Sequence, residues 1–188
     1  MDSIDLDEKD RKIVSLFERD PDVSQADIAE QVGLSQPTVG ARINKLKQSG
    51  VISATAGMDL MKVGLKMAKA DITTKNSIDV LGQFKACPCF LNGYIVSGRE
   101  NLSLFFIAED ISTIEAIVDK HVRGHPAVMD VDLGIIIKTV NDIVLPVKLN
   151  VEKGDKTPCG SDCSECDYYK SGRCLGCCAS KAYKGTFW

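Results

Sequence analysis

Only two histidines and one tryptophan occur among the 188 residues, and aromatic side chains make up 6% of them. Basic charge is not in excess either: 23 Lys and Arg stand against 26 Asp and Glu, a formal net charge of −3. A chain that binds nucleic acid through overall positive charge is thereby excluded, so any DNA contact must come from a local basic surface. Long apolar runs are also missing. Stretches such as Leu133 to Ile137 fall far short of the roughly 20 residues that span a bilayer. The acidic start, MDSIDLDEKDRK, lacks the apolar centre of a secretory signal. A cytoplasmic protein with no membrane partner is expected. The chain carries no phosphate-cradling glycine loop, metalloprotease helix or nucleophile elbow, and it offers no firm catalytic residue. Cysteine is nearly absent until late. Cys87 and Cys89 are the only two before residue 159, yet CGSDCSECDYYKSGRCLGCC, from Cys159 to Cys178, holds six. In a reducing cytosol such a cluster points to a metal or redox site rather than a disulfide framework.

What is present begins with three helices. Residues 7–19 place Ile13, Val14, Leu16 and Phe17 on one helical face. The segment DPDVS breaks the pattern, and Ser24 is placed to cap a second helix, QADIAEQV, whose Ile28, Ala29 and Val32 face a core. Gly33 ends it, and Ser35 caps a third, QPTVGARINKLKQS, with Pro37 in its first turn and Gly50 beyond its end. Two short helices joined by a turn containing glycine are the mark of a helix-turn-helix. On the third helix Val39, Ile43 and Leu46 share the inner face. Gln36, Thr38, Ala41, Arg42, Lys45 and Lys47 share the outer one, with no acidic residue from 35 to 49. A helical hairpin with a solvated basic face would show the same amphipathicity. The capped turn and the local charge asymmetry favour phosphate attraction with base-edge contacts on double-stranded DNA. The alternation in GVISATAGMDLMKVG then predicts the small strand pair of a wing.

The stretch ADIAEQVGLSQPTVGARINKLKQSGVI resembles the winged helix-turn-helix of the Lrp/AsnC (feast/famine) transcription regulators, in a form like that of archaeal members. The likeness covers most of residues 6–55. It implies that Gln36, Thr38 and Arg42 contact DNA from the recognition helix, and Lys45 lies on the same outer face.

From residue 64 to 143 the pattern reads strand, helix, strand, strand, helix, strand: LKMAKADITT, SIDVLGQFKA, FLNGYIVSG, NLSLFFIAE, ISTIEAIVDKHV and VMDVDLGIIIKTVN. That βαββαβ order predicts a ferredoxin-like sandwich, two helices on one face of an antiparallel sheet. The resemblance extends through it, because Lrp/AsnC proteins carry this sandwich as their ligand-binding and oligomerisation domain. It implies a homodimer or a higher even-numbered homo-oligomer, with two recognition helices on successive major grooves. One departure stands out. Many relatives have Gly followed three residues later by Asp in the turn of SGRENL, where this chain has Gly98 and Asn101. That puts an amino-acid effector in doubt. His121 and His125 read as ordinary polar residues. Cys87 and Cys89, in the CPC loop, read either as small apolar fillers or as a redox dithiol.

VEKGDKTP, residues 151–158, is a polar linker where the resemblance ends. The tail beyond it is rich in turn formers and too short to build an apolar core unaided, so a crosslink by metal is expected to order it. The spacing is Cys159-x3-Cys163-x2-Cys166-x7-Cys174-x2-Cys177-Cys178. Four thiolates suit either an iron–sulfur cluster, of [4Fe–4S] type, or tetrahedral zinc. Overall this tail resembles cysteine-rich tails of uncharacterised archaeal proteins. In the iron–sulfur reading Cys159, Cys163 and Cys166 bind with one of Cys174, Cys177 or Cys178. In the zinc reading Cys163, Cys166, Cys174 and Cys177 bind. A metal-free dithiol relay is the third reading.

The sequence thus predicts an α+β chain of three parts. These are a winged helix-turn-helix over 1–57, a ferredoxin-like domain over 58–150 and a small metal-stapled tail over 151–188. The expected function is a DNA-binding regulator that senses redox state through an iron–sulfur cluster. Two alternatives stay open. One is an iron–sulfur-dependent thiol–disulfide reductase fed by a redox donor protein, with Cys87, Cys89, Cys177 and Cys178 as candidate thiols. The other is a zinc-stapled, amino-acid-responsive regulator.

Overall fold

The computed structural model describes residues 4–53 and 55–188. The chain divides into two compact units, one ending at residue 56 and the other running from Gly57 to Trp188.

The first unit is three helices, α1 (Glu8–Arg19), α2 (Gln25–Val32) and α3 (Gln36–Gln48). Their starts are set by side chains that accept otherwise unpaired backbone amides: Asp7 from Asp10, Ser24 from Asp27, and Ser35 from Thr38. Gly33 stops α2 at φ +66°, a left-handed conformation that a Cβ would strain, and so turns the chain into α3. Ile13, Ile28, Val32, Val39 and Ile43, all nearly or fully buried, form the core between the helices. The wing expected over 50–64 does not form among the described residues. The amides of Val51 and Ile52 instead donate to the carbonyl of Leu46, at 3.0 and 3.2 Å, folding both side chains back onto the helical core. The two-residue strand β1 (Met58–Asp59) pairs with β6 (Val144–Leu145), far along the chain in the second unit.

The second unit holds β2 (Lys66–Thr74), α4 (Ser77–Gly82), β3 (Phe90–Ile95), β4 (Leu102–Ala108), α5 (Ile111–Val118) and β5 (Val128–Ile136). The four long strands form one antiparallel sheet in the order β3-β4-β2-β5. This is the predicted ferredoxin-like topology. Small residues on β2 oppose large ones on β4, Ala68 against Phe106 and Ala70 against Leu104. The space so left is filled from the helical side by Val80, Phe84, Ile114 and Val118. Several elements are shorter than their patterns suggest. The helix expected through residue 86 stops at Gly82, and the chain then makes the turns that place Cys87 to Cys89. The helix expected through 122 ends at Val118 and continues as a π-helical turn, Asp119–Arg123.

The tail packs on the helical layer of this unit. It has one short helix, α6 (Asp167–Lys170). The amide of Leu175 donates to the buried hydroxyl of Thr113 on α5, at 3.0 Å, and the Tyr168 hydroxyl donates to Asp119 at 2.5 Å. The last residues are fastened to Glu109, at the end of β4. Its carboxylate accepts from the amides of Thr186 and Phe187 and from the Tyr183 hydroxyl. Phe187 and Trp188 then lie on the apolar surface of Leu60, Leu65, Met67 and Ile107. None of the helices among the described residues is long and apolar enough to cross a membrane.

Candidate functional site

Two regions carry the residues singled out by sequence, and each is described within its own unit. On α3, Gln36, Thr38, Ala41 and Lys45 are exposed, while Val39, Ile43 and Leu46 are buried beneath them. The helix begins with no acidic residue and carries Lys45 and Lys47 in its last turn. Thr38 is not wholly free, since its hydroxyl lies 2.7 Å from that of Ser35. Arg42 is engaged still more firmly. Its guanidinium donates to Asp7 at 2.6 Å and to Asp10 at 2.7 Å, pinning α3 to the start of α1. The amide of Asp10 and then Arg42 hold the Asp7 carboxyl below its ordinary range. Arg42 therefore already has an internal role that sequence reasoning missed. The acidic segment DEKD, set against a single arginine on the basic helix, was the available signal.

The second region is a cavity of about 80 Å³ between the tail and the helical layer of the sandwich. Cys87 and Cys89 reach it from the loop before β3, and Cys159, Cys163, Cys166, Cys174 and Cys177 from the tail. Two groups that local sequence reading kept apart thus line one cavity. Cys178 sits just behind it, fully buried. All eight thiols are free. The walls are otherwise mostly apolar, with Lys120 and His121 at one side.

Backbone and hydroxyl donors are aimed at the sulfurs. The amide of Cys177 donates to Cys163 Sγ at 3.3 Å, and that of Gly176 to Cys174 Sγ at 3.4 Å. Gly176 holds φ +87°, with the Tyr169 ring 3.2 Å and the Ala182 carbonyl 3.4 Å from where a Cβ would stand, so both conformation and space favour glycine there. The Thr157 hydroxyl lies 3.0 Å from Cys159 Sγ. Burial raises the Cys159 thiol, but hydrogen bonds from Thr157 and Ser161 outweigh it, and the net shift is downward. Burial pushes Cys174 up. The neighbouring thiols Cys177 and Cys89 bring the Cys178 pKa down to about 4. Cys177 and Cys89 are correspondingly pushed up. The neighbouring Cys89 likewise lowers the pKa of Cys87. Burial, with help from the charge of Lys120, keeps His121 neutral at lower pH than usual.

Among the described residues no three His, Cys, Asp or Glu side chains are grouped as they would be around a metal ion. The cysteines ring a space instead of converging on a point. The donor set is nonetheless of one chemical kind, soft sulfur with N–H and O–H donors behind it. That is the surrounding anionic thiolates require.

Comparison with known proteins bears on both units. A winged helix-turn-helix DNA-binding family matches residues 6–53. The leucine-responsive regulatory protein of Rhizobium meliloti is 27% identical over 150 residues, 74% of this chain and 94% of that one. An AsnC family transcriptional regulator from Agrobacterium tumefaciens superposes with a TM-score of 0.60 at 27% identity, covering 77% of this chain and 97% of that one. Escherichia coli AsnC superposes with a TM-score of 0.64 at 18% identity, covering 73% and 96%. The chain is thus similar, along its helix-turn-helix and its sandwich, to DNA-binding regulators of the Lrp/AsnC type. Against that background Asn101 gains meaning. Where the resemblance leads one to expect Asp, the Asn101 side chain pairs with the backbone of Thr74, accepting from its amide at 2.9 Å and donating to its carbonyl at 2.8 Å. An aspartate lacks the donor that this second bond needs.

Proposed function

We propose that this Lrp/AsnC-like chain is a sequence-specific regulator whose cysteine-lined cavity takes an iron–sulfur cluster, and that the state of the cluster alters its affinity for DNA. The observation that carries the reading is the cavity itself, on which seven thiols from two distant segments face one apolar space. A single zinc ion would draw four sulfurs to a point, whereas a cluster needs volume and several sulfurs spread around it. Gln36 and Thr38 would read base edges, Lys45 would meet phosphate, and Arg42 would chiefly set the pose of the helix. A homodimer or a higher even-numbered oligomer would present two such helices. Asn101, committed to Thr74, supports an input other than the amino acid that one relative's name implies. Full-length protein purified without air should be brown and carry iron and sulfide. Colourless protein with zinc would favour the stapled alternative, and protein with neither metal would remove the cluster.

A second reading is favoured by the neighbouring thiols Cys87, Cys89, Cys177 and Cys178, among which the Cys178 pKa is lowered to about 4. A thiolate flanked by thiols is the chemistry of thiol–disulfide exchange. Turnover of a small disulfide that disappears in Cys178→Ser would support it.

A further inference from the structure

The tail supplies only part of the cavity lining, and the sandwich supplies the rest, Cys87 and Cys89 included. We infer that Cys87, a residue of the sandwich, is a ligand of the cluster, so that the centre is completed only across the seam between the two segments. This rests on the cluster reading above and adds to it the source of one ligand.

Cys87 is half-buried, packed on one side against the sandwich core and lining the cavity on the other. Its loop is held tightly. The Cys87 amide donates to Phe84 O at 2.9 Å, the Phe90 amide donates to Cys87 O at 3.2 Å, and Pro88 lies between. Phe84 and Phe90 are in turn seated on Phe106 at the centre of the sheet. A side chain fixed in this way is preorganised for a ligand and has little freedom to move aside. Cys159 and Cys177 line the same cavity from the tail.

Its neighbour Cys89 is placed differently. It is 4% exposed, and its carbonyl takes the Ile107 amide at 2.8 Å. On the tail side, Cys163 and Cys174 already receive amide donors of the sort that stabilise ligating sulfur. Cys87 adds a sulfur to the same cavity from the sandwich, as a guest enclosed by both segments requires. One consequence is mechanical. A bond to Cys87 ties the tail to the aromatic centre of the sandwich, and its loss would release the tail from that anchor.

The test uses the full chain reconstituted with iron and sulfide without air. Two readouts serve, the electron paramagnetic resonance spectrum of the reduced protein with iron per chain, and alkylation of each cysteine followed by mass spectrometry. Cys87→Ser is expected to shift the resonance signal, and Cys87→Ala to lower iron content as well, while circular dichroism stays that of the folded chain. In the unsubstituted protein Cys87 is expected to be protected from alkylation when loaded and to react once iron is chelated. Spectra and iron content unchanged in both variants, or Cys87 alkylated equally with and without iron, would overturn the assignment and leave the cluster reading standing on the tail. An unsubstituted chain that takes up no iron would sink the cluster reading, and this assignment with it.

Discussion

Lys45 stands exposed on α3 while Arg42 is tied to Asp7 and Asp10, so two neighbouring cations answer different experiments. Lys45→Ala should weaken binding to every DNA sequence alike and reduce the slope of log affinity against log salt by about one. Arg42→Ala should act first on the fold, lowering the thermal midpoint of the helical unit before any loss of sequence preference. Titrations at several salt concentrations, with thermal unfolding beside them, separate the two; an unchanged salt slope for Lys45→Ala would remove its phosphate contact. Glu109 gives a residue-scale prediction for pH. Burial raises its carboxyl, but hydrogen bonds from Tyr183 and from the Phe187 and Thr186 amides outweigh this and bring it below its ordinary 4.5. Its contribution is therefore present above about 4.5 and is lost as pH falls through the lower folded value. The terminus carries the only tryptophan, Trp188. Its fluorescence should shift to the red on acidification through that range, and at neutral pH in Glu109→Ala. A spectrum indifferent to both would show that Glu109 does not hold the terminus.

At the scale of elements, the helix-turn-helix is legible in sequence because its instructions are local. Ser24, Gly33 and Ser35 each act within four residues, and the 3.6-residue spacing of Val39, Ile43 and Leu46 marks the buried face. The βαββαβ order is legible for a like reason, in the alternation along β2 and the apolar run of β4. The wing is not, because alternation over 50–64 says nothing about partners. The amides of Val51 and Ile52 are taken by Leu46, and β1 finds its strand partner more than eighty residues away. The same limit hides the meeting of the CPC loop with the tail. Each cysteine group is visible, but periodicity carries no record of contacts between segments so far apart. The seam between them makes its own prediction. Thr113 is buried on α5 and accepts the Leu175 amide. Thr113→Val keeps the shape and removes the acceptor, which should cost about 1–3 kcal/mol in urea unfolding of the full chain. A midpoint unchanged by the substitution would mean that the tail contributes nothing to the stability of the sandwich.

For the molecule as a whole, the family likeness accounts for DNA binding and for the sandwich, and it leaves the cysteines to be explained. Their placement supplies a physical link. The thiol-lined space lies between tail and sandwich, so whatever fills it, or oxidises its sulfurs, acts on how the tail is held to the sandwich. Such a coupling is worth about 5- to 150-fold in affinity where it has been measured in proteins generally. The most direct measurement is a titration of promoter DNA at fixed salt with the full chain, iron-loaded under reducing conditions and then oxidised or chelated. The account predicts affinities that differ within that range between the two states. Equal affinities would contradict it.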